Sequence, residues 1–248
     1  MRTITFTQMI RETLAAELRR DPSVFLMGED IGVYGGAFGV TRGLIDEFGP
    51  ARIRDTPISE QALTGVAIGA AVAGQRPVIE FMFMDFITLA VDQVVNMAAK
   101  LHPIYGLACP LVLRAPPGGG RGYGATHSQS LERLFAGVPG IKIAAPSNAA
   151  DAAGLLQTAI RDNNPVLFLE HKLLYPMRFE VDDALPAPTP FGFAKLVREG
   201  TDITIVAWSY MTVLAQQAAA TLAQAGIEAE IVDLLTLSPL DIDTVVES

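Results

Sequence analysis

A chain of 248 residues, half of them hydrophobic, can bury one large core or two smaller ones, and 18 Lys and Arg against 27 Asp and Glu leave a net charge of −9 that argues against a nucleic-acid partner. The lone cysteine, Cys109, excludes an internal disulfide, and every long apolar run is interrupted: the best membrane-span candidate, Ala62 to Phe86, is broken by Gly74-Gln75-Arg76-Pro77 and carries Glu80 and Asp85. A cytoplasmic location with no membrane partner is the simplest reading.

Thr7 is placed to cap a helix over Gln8 to Arg20, in which Met9, Leu14 and Leu18 recur at roughly helical spacing, and Asp21-Pro22 ends it. Val24 to Met27 reads as a short buried strand that delivers Gly28-Glu29-Asp30 to a loop punctuated by Gly32, Gly35, Gly36 and Gly39. A short helix is predicted over Thr41 to Phe48. Arg52-Ile53-Arg54 then runs extended into Asp55-Thr56-Pro57-Ile58-Ser59-Glu60-Gln61. Pro57 favours extended backbone before it, Ser59 can cap, and Gln61 to Gly74 reads as a helix with almost no polar surface. Glu60 falls at that helix's start. Gly65, Gly69 and Ala73 recur at four-residue spacing and predict a stripe on which something packs tightly.

Pro77 to Phe83 is an apolar strand apart from Glu80, and a helix is predicted over Phe86 to Leu101 with Leu89, Val94, Met97 and Leu101 on one side. After a strand over Pro110 to Arg114, the glycine-rich loop Pro116 to Gly124 ends in Thr126-His127-Ser128-Gln129. Leu131 to Phe135 reads as a helix, Lys142 to Ala145 as a strand, Ala149 to Arg161 as a helix and Val166 to Glu170 as a strand. Strands alternating with helices predict an α/β fold whose mostly parallel sheet is covered on both faces. Pro186, Pro188 and Pro190 mark a linker, so one unit is expected over residues 1–185 and a second over 186–248. In the second, a strand over Asp202 to Trp208, a helix over Val213 to Ala225 and a strand over Glu228 to Leu235 form one βαβ unit, and Ser248 falls inside a further predicted helix.

Several chemistries fail on the residues. Gly120-Arg121-Gly122-Tyr123-Gly124-Ala125 fits a dinucleotide cradle, but the next strand ends Ala144-Ala145-Pro146-Ser147 without the acidic residue that would hold a ribose. No Gly-Lys-Ser or Gly-Lys-Thr occurs, Ser128 and Ser130 lack a GxSxG elbow, and His102, His127 and His171 are isolated from metal-ligand spacing. What remains is Glu60, at the start of an apolar helix, and His127, on a glycine-rich loop. A carboxyl buried against Ile58 and that helix would share a proton with a ligand nitrogen, and a mobile loop would bring His127 to an entering substrate. Each residue alone also fits a bland role, a solvated helix-start carboxylate or a hydrogen-bonded surface histidine.

Gly28-Glu29-Asp30, Asp55 to Glu60, Arg76-Pro77, Asp92-Gln93, Thr126 to Gln129, Pro139 to Lys142 and Arg161 to Pro165, in this order, make the chain resemble the β subunit of the thiamine-diphosphate-dependent 2-oxo acid dehydrogenases, a family that includes the pyruvate, branched-chain and acetoin enzymes. The resemblance implies a pyrimidine-binding domain followed by a transketolase C-terminal-like domain. It implies that Glu60 hydrogen-bonds N1′ of the cofactor aminopyrimidine and favours its imino tautomer, that Ile58 and Phe86 line the pyrimidine pocket, and that Glu29 lies in an acidic passage between two active sites. His127 is implied to lie near the reacting centre and to assist acyl transfer to a lipoyl group after the 2-oxo acid loses carbon dioxide. Backbone carbonyls of Leu111, Ala159, Ile160, Asp162 and Asn164 match those that hold a structural potassium ion in some members. No Gly-Asp-Gly motif occurs, so the resemblance assigns the diphosphate and Mg2+ to an α subunit in an α2β2 assembly, with a lipoyl acyltransferase as further partner. Family members continue past the point matching Ser248, so part of the second domain is expected to lie outside this chain. Other readings are an acetoin dehydrogenase β subunit and a non-catalytic chain that only assembles with an α partner.

Overall fold

The computed structural model describes residues 1–248. Strand β1 (Arg2–Thr5) leads into helix α1 (Phe6–Arg20), whose cap is Thr5 and not Thr7. The Thr5 hydroxyl accepts from the Gln8 N–H and the Gln8 side chain accepts from the Thr5 N–H, a reciprocal box that satisfies donors at the helix start. Thr7 instead faces the end of the first unit, where its N–H and hydroxyl both donate to the Tyr175 carbonyl.

Strand β2 (Val24–Gly28), helix α2 (Leu44–Phe48), strand β3 (Ile53–Asp55), helix α3 (Glu60–Val72) and strand β4 (Arg76–Glu80) follow. From Met84 to Tyr105 the predicted regular helix is replaced by a changing winding: a 3-10 segment at Met84–Ala90, a π segment at Gln93–Met97, a 3-10 turn at Ala98–Lys100 and the short helix α4 (Leu101–Tyr105). The buried positions explain the first segment. Met84, Ile87 and Ala90 recur every three residues, the 3-10 period, whereas Leu89 and Met97, expected to face the core, are exposed.

Strand β5 (Val112–Ala115), helix α5 (Arg133–Ala136), strand β6 (Lys142–Ala144), helix α6 (Ala149–Arg161) and strand β7 (Val166–Leu169) complete the first unit, closed by strand β8 (Arg178–Val181), which pairs antiparallel with β1. The linker that follows is pinned to α6: Gln157 Nε2 donates to the Pro186 carbonyl and the Thr158 hydroxyl to the Thr189 carbonyl, each at 2.7 Å. The second unit holds strands β9 (Lys195–Arg198) and β10 (Ile203–Ala207), helix α7 (Tyr210–Gln224), strands β11 (Ala229–Asp233) and β12 (Thr236–Ser238), and helix α8 (Ile242–Glu247).

The main sheet has the order β12-β6-β7-β5-β4-β2-β3, parallel throughout except for β12. Alternation along its strands feeds two cores. Ile79, Leu113, Ile143 and Leu167 pack with α3 and the 84–105 segment on one face, while Val78, Val112, Val166 and Phe168 pack with α1 and α6 on the other. A smaller sheet, β10-β11-β9, belongs to the second unit, and β12 carries that unit onto the edge of the main sheet through Thr236 opposite Ala144. The parallel strands all end at one edge, where the loops bearing Glu29, Asp55, Glu60, His127 and Lys172 emerge, the usual place for a ligand in an open α/β sheet.

Candidate active site

Two loops are laced together at the ends of β2 and β3. Asp55 Oδ1 accepts the Gly32 N–H at 2.6 Å, and the Thr56 N–H donates to the Gly28 carbonyl at 3.0 Å. That stitching sets Glu29 beside the turn that opens α3. Glu60 is the first residue of α3 and is only 6% exposed, so the solvated reading is overturned by geometry. The source of that burial differs from expectation: Ile58 is 83% exposed and covers nothing in this chain, and Ser59 makes no side-chain cap bond. Glu29 is buried too, and its Oε1 has no hydrogen-bond partner. Burial first, then the charge of Glu60 and of Asp30, push the Glu29 carboxyl above its ordinary range, against a bond from the Ser59 N–H. Beside this pair a narrow cleft of about 140 Å3 is lined by Met27, Thr56, Pro57, Ser59, Ala62 and Leu63, with the Thr56 hydroxyl unpartnered.

His127 sits where the glycine-rich loop returns to the sheet. Its ring stands edge-on to Phe83 at 4.9 Å and to Phe86 at 5.2 Å, and its Nδ1 lies 3.0 Å from the Thr126 hydroxyl. Phe86 is therefore a neighbour of His127. Phe83, which reading of the sequence left inside a strand, is the ring that joins His127 to Phe38, Phe86 and Tyr123. A polar cavity of about 370 Å3 lined by Arg42, Arg121, Phe38 and Tyr123 backs onto this cluster without reaching Glu60 or His127.

Two further residues went unseen in the sequence. Lys172 is fully buried, and its Nζ donates to the carbonyls of Gly118 and His127 at 3.0 and 2.8 Å. Asp85 accepts the N–H and the side-chain amide of Gln129 on one carboxylate oxygen, at 3.2 and 2.8 Å. Burial holds the Lys172 ammonium below its ordinary value, opposed by the charge of Asp85. In the sequence Lys172 is one of three adjacent polar residues, Glu170-His171-Lys172, between apolar runs, a pattern that does not single it out.

Four of the five carbonyls named for potassium, those of Ile160, Asp162, Leu111 and Ala159, already accept a hydrogen bond. Arg76 Nη1 donates to both Ile160 and Asp162 at 3.0 Å, its Nη2 donates to the Asn163 side chain at 2.9 Å, the Leu111 carbonyl accepts from the Val166 N–H at 2.8 Å, and the Ala159 carbonyl accepts from the Asp162 N–H at 3.4 Å. Lys142 adds a second cation on the Asp162 carboxylate. No group of three or more His, Cys, Asp or Glu side chains is placed to hold a metal ion, and no helix is long and apolar enough to cross a membrane.

Residues 2–178 match the transketolase pyrimidine binding domain and residues 192–248 the transketolase C-terminal domain. The pyruvate dehydrogenase E1 component subunit beta of Rickettsia felis is 46% identical over 247 residues, covering 99% of this chain and 76% of that protein. The chain belongs to the β-subunit family of the thiamine-diphosphate-dependent 2-oxo acid dehydrogenases. Another family relative, the acetoin:2,6-dichlorophenolindophenol oxidoreductase subunit beta of Cupriavidus necator, is 48% identical over 259 residues, covering the whole of this chain and 76% of that one. Among solved structures, a split-gene transketolase described as an inactive beta4 tetramer superposes with a TM-score of 0.80 at 25% identity, over 99% of this chain and 76% of that one. Pichia stipitis transketolase shares the fold at a TM-score of 0.71 and 17% identity, over 95% of this chain and 35% of its own. The two domain matches thus cover both units of the chain.

Proposed function

We propose that this chain supplies the aminopyrimidine half of a thiamine diphosphate site and, paired with an α subunit, decarboxylates a small 2-oxo acid and passes the acyl unit to a lipoyl group. The observation that carries the reading is the buried Glu29–Glu60 pair at the carboxyl edge of the sheet, with one Glu29 oxygen unpartnered and the Thr56 hydroxyl free beside it. This donor and acceptor set fits an aminopyrimidine, whose ring nitrogens and amino group offer complementary partners. When bound, thiamine diphosphate supplies the carbon nucleophile for decarboxylation.

Glu60 then holds a proton against the pyrimidine N1′, and its place at the first turn of α3 fixes its direction. Phe86 and the exposed Ile58 would line the pyrimidine ring. Glu29, coupled to Glu60 and Asp30, would belong to an acidic passage leading from the site. His127, edge-on to two phenylalanines, presents its ring to the incoming acyl acceptor. An α subunit would hold the diphosphate and Mg2+, and the α3 region offers it a face: Ala62, Val66, Gly69 and Ala73 are exposed, Gln93 lies against Gly65, and a Cβ at Gly69 would meet nothing within 4 Å. Tight packing on that stripe is thus left to a partner. Of the five carbonyls that the resemblance names for potassium, those of Leu111, Ala159, Ile160, Asp162 and Asn164, two accept from the Arg76 guanidinium, and its charge there disfavours a cation bound among them.

Mixing the chain with an α partner, thiamine diphosphate and Mg2+ is expected to release carbon dioxide from one member of a panel of 2-oxo acids. Acetoin turnover in its place would select the acetoin branch. Glu60→Gln is expected to lower turnover by roughly 10²–10⁴-fold with the circular dichroism spectrum and thermal midpoint unchanged. Full activity in that variant sinks the assignment, and assembly without cofactor-dependent turnover in the native chain favours a non-catalytic role.

A further inference from the structure

The glycine-rich loop has every reason to be loose. Gly118, Gly120, Gly122 and Gly124 all adopt left-handed φ, and residues 120–126 are exposed. Its neck is nonetheless closed by a small polar cluster. The Gly118 N–H donates to the Gln129 carbonyl at 3.1 Å, Asp85 holds Gln129 from below, and the Lys172 ammonium donates to the carbonyls of Gly118 and His127 at once. The same ammonium lies 5.0 Å from the centre of the Phe83 ring, the ring on which the His127 imidazole stands.

We propose that Lys172 is a positioning residue that fixes His127 for acyl transfer: by tying the two ends of the loop to one buried point and packing on Phe83, it sets the backbone and the ring plane of His127 together. The inference rests on the reading that His127 faces the reacting centre. Three features support it. No carboxylate pairs directly with Lys172, so its charge is spent on loop carbonyls and an aromatic face. Burying an ammonium is costly, and a surface tether would have held a loop that needed no fixed geometry. A compact ammonium carries three rotatable donors, enough to serve the Gly118 and His127 carbonyls while its charge lies against the Phe83 ring.

Lys172→Met keeps the stem and removes the donors. In the chain assembled with its α partner, amide hydrogen exchange over residues 118–127 is expected to rise by about tenfold or more. Turnover to a lipoyl acceptor is expected to fall roughly 100-fold, the cost of a misplacement on the scale of 1 Å, while thiamine diphosphate affinity stays within about twofold. In a His127→Ala background the same change is expected to loosen the loop but add no further loss of turnover. Lys172→Gln, which keeps an amide donor, is expected to fall between the two and serves if the methionine variant does not assemble. Native exchange and native turnover in either variant overturn the proposal, and so does an equal loss of turnover with and without His127. If His127→Ala is itself fully active, the reading of His127 fails, and the exchange measurement still decides whether Lys172 holds the loop.

Discussion

At the scale of single residues, a buried ion cluster lies behind the site. Arg114 is buried and donates twice to Glu170, at 2.6 and 2.7 Å, and once to Glu80, while the Tyr175 hydroxyl donates to Glu170 at 2.7 Å. Burial pushes the Glu80 carboxyl up, and the Arg114 charge opposes it. Arg114→Met leaves two carboxylates in the core without a counter-charge, and unfolding in urea is expected to show a loss of about 3–5 kcal/mol. Adding Glu80→Gln and Glu170→Gln to that variant is expected to recover part of the loss, because the penalty comes from unpaired charge. Arg114 and Glu170 were visible in the sequence as charges at the ends of predicted strands, and Glu80 as a lone charge within one. Their meeting was not, because it depends on β4, β5 and β7 lying side by side, an order that no local pattern encodes.

At the scale of elements, legibility followed local signals. Helix α6 was readable to the residue because Asn148 caps it, accepting the Asp151 N–H, and its apolar face repeats at helical period. The 84–105 segment was misread because a changing period defeats a fixed template. Strands β1, β8, β9 and β12 were missed because they are short and half-exposed, and their pairing comes from distant chain. Glu60 was legible as a position, yet its burial was not, since the residue credited with covering it points away. The α3 stripe gives a prediction at this scale. A Cβ at Gly69 would meet nothing within 4 Å, so Gly69→Ala is expected to stabilise the isolated chain by about 0.5–1 kcal/mol in thermal unfolding, the ordinary gain for replacing glycine within a helix. Gly69→Leu is expected to leave that stability intact and weaken association with an α partner, measured by titration calorimetry. Unchanged association would remove this face from the interface.

For the whole molecule, the first and second units meet along a seam that carries two titratable groups with opposite leanings, the buried Asp233 and the half-buried His171. At the end of β11, Asp233 accepts from Ser147 of the first unit and from Thr212 of α7, and burial, against those bonds, pushes its carboxyl from an ordinary 3.8 up to about 6. Its contribution is full below pH 3.8 and lost as pH rises through about 6. Across the seam His171 stacks on Tyr210 at 4.9 Å, its Nδ1 accepts the Leu173 N–H, and burial with the Lys172 charge pushes it from 6.5 down to about 4. Its contribution is full above pH 6.5 and lost as pH falls through about 4. Each is worth about 2–3 kcal/mol at its favourable end, so over the range where both titrate the two trends largely cancel. Removing one exposes the other. Relative to the native chain in urea unfolding at pH 4 and pH 7, Asp233→Asn is expected to lose stability on acidification, and His171→Asn to lose it as the pH is raised. Parallel pH profiles for the native chain and both variants would show that neither group governs the seam.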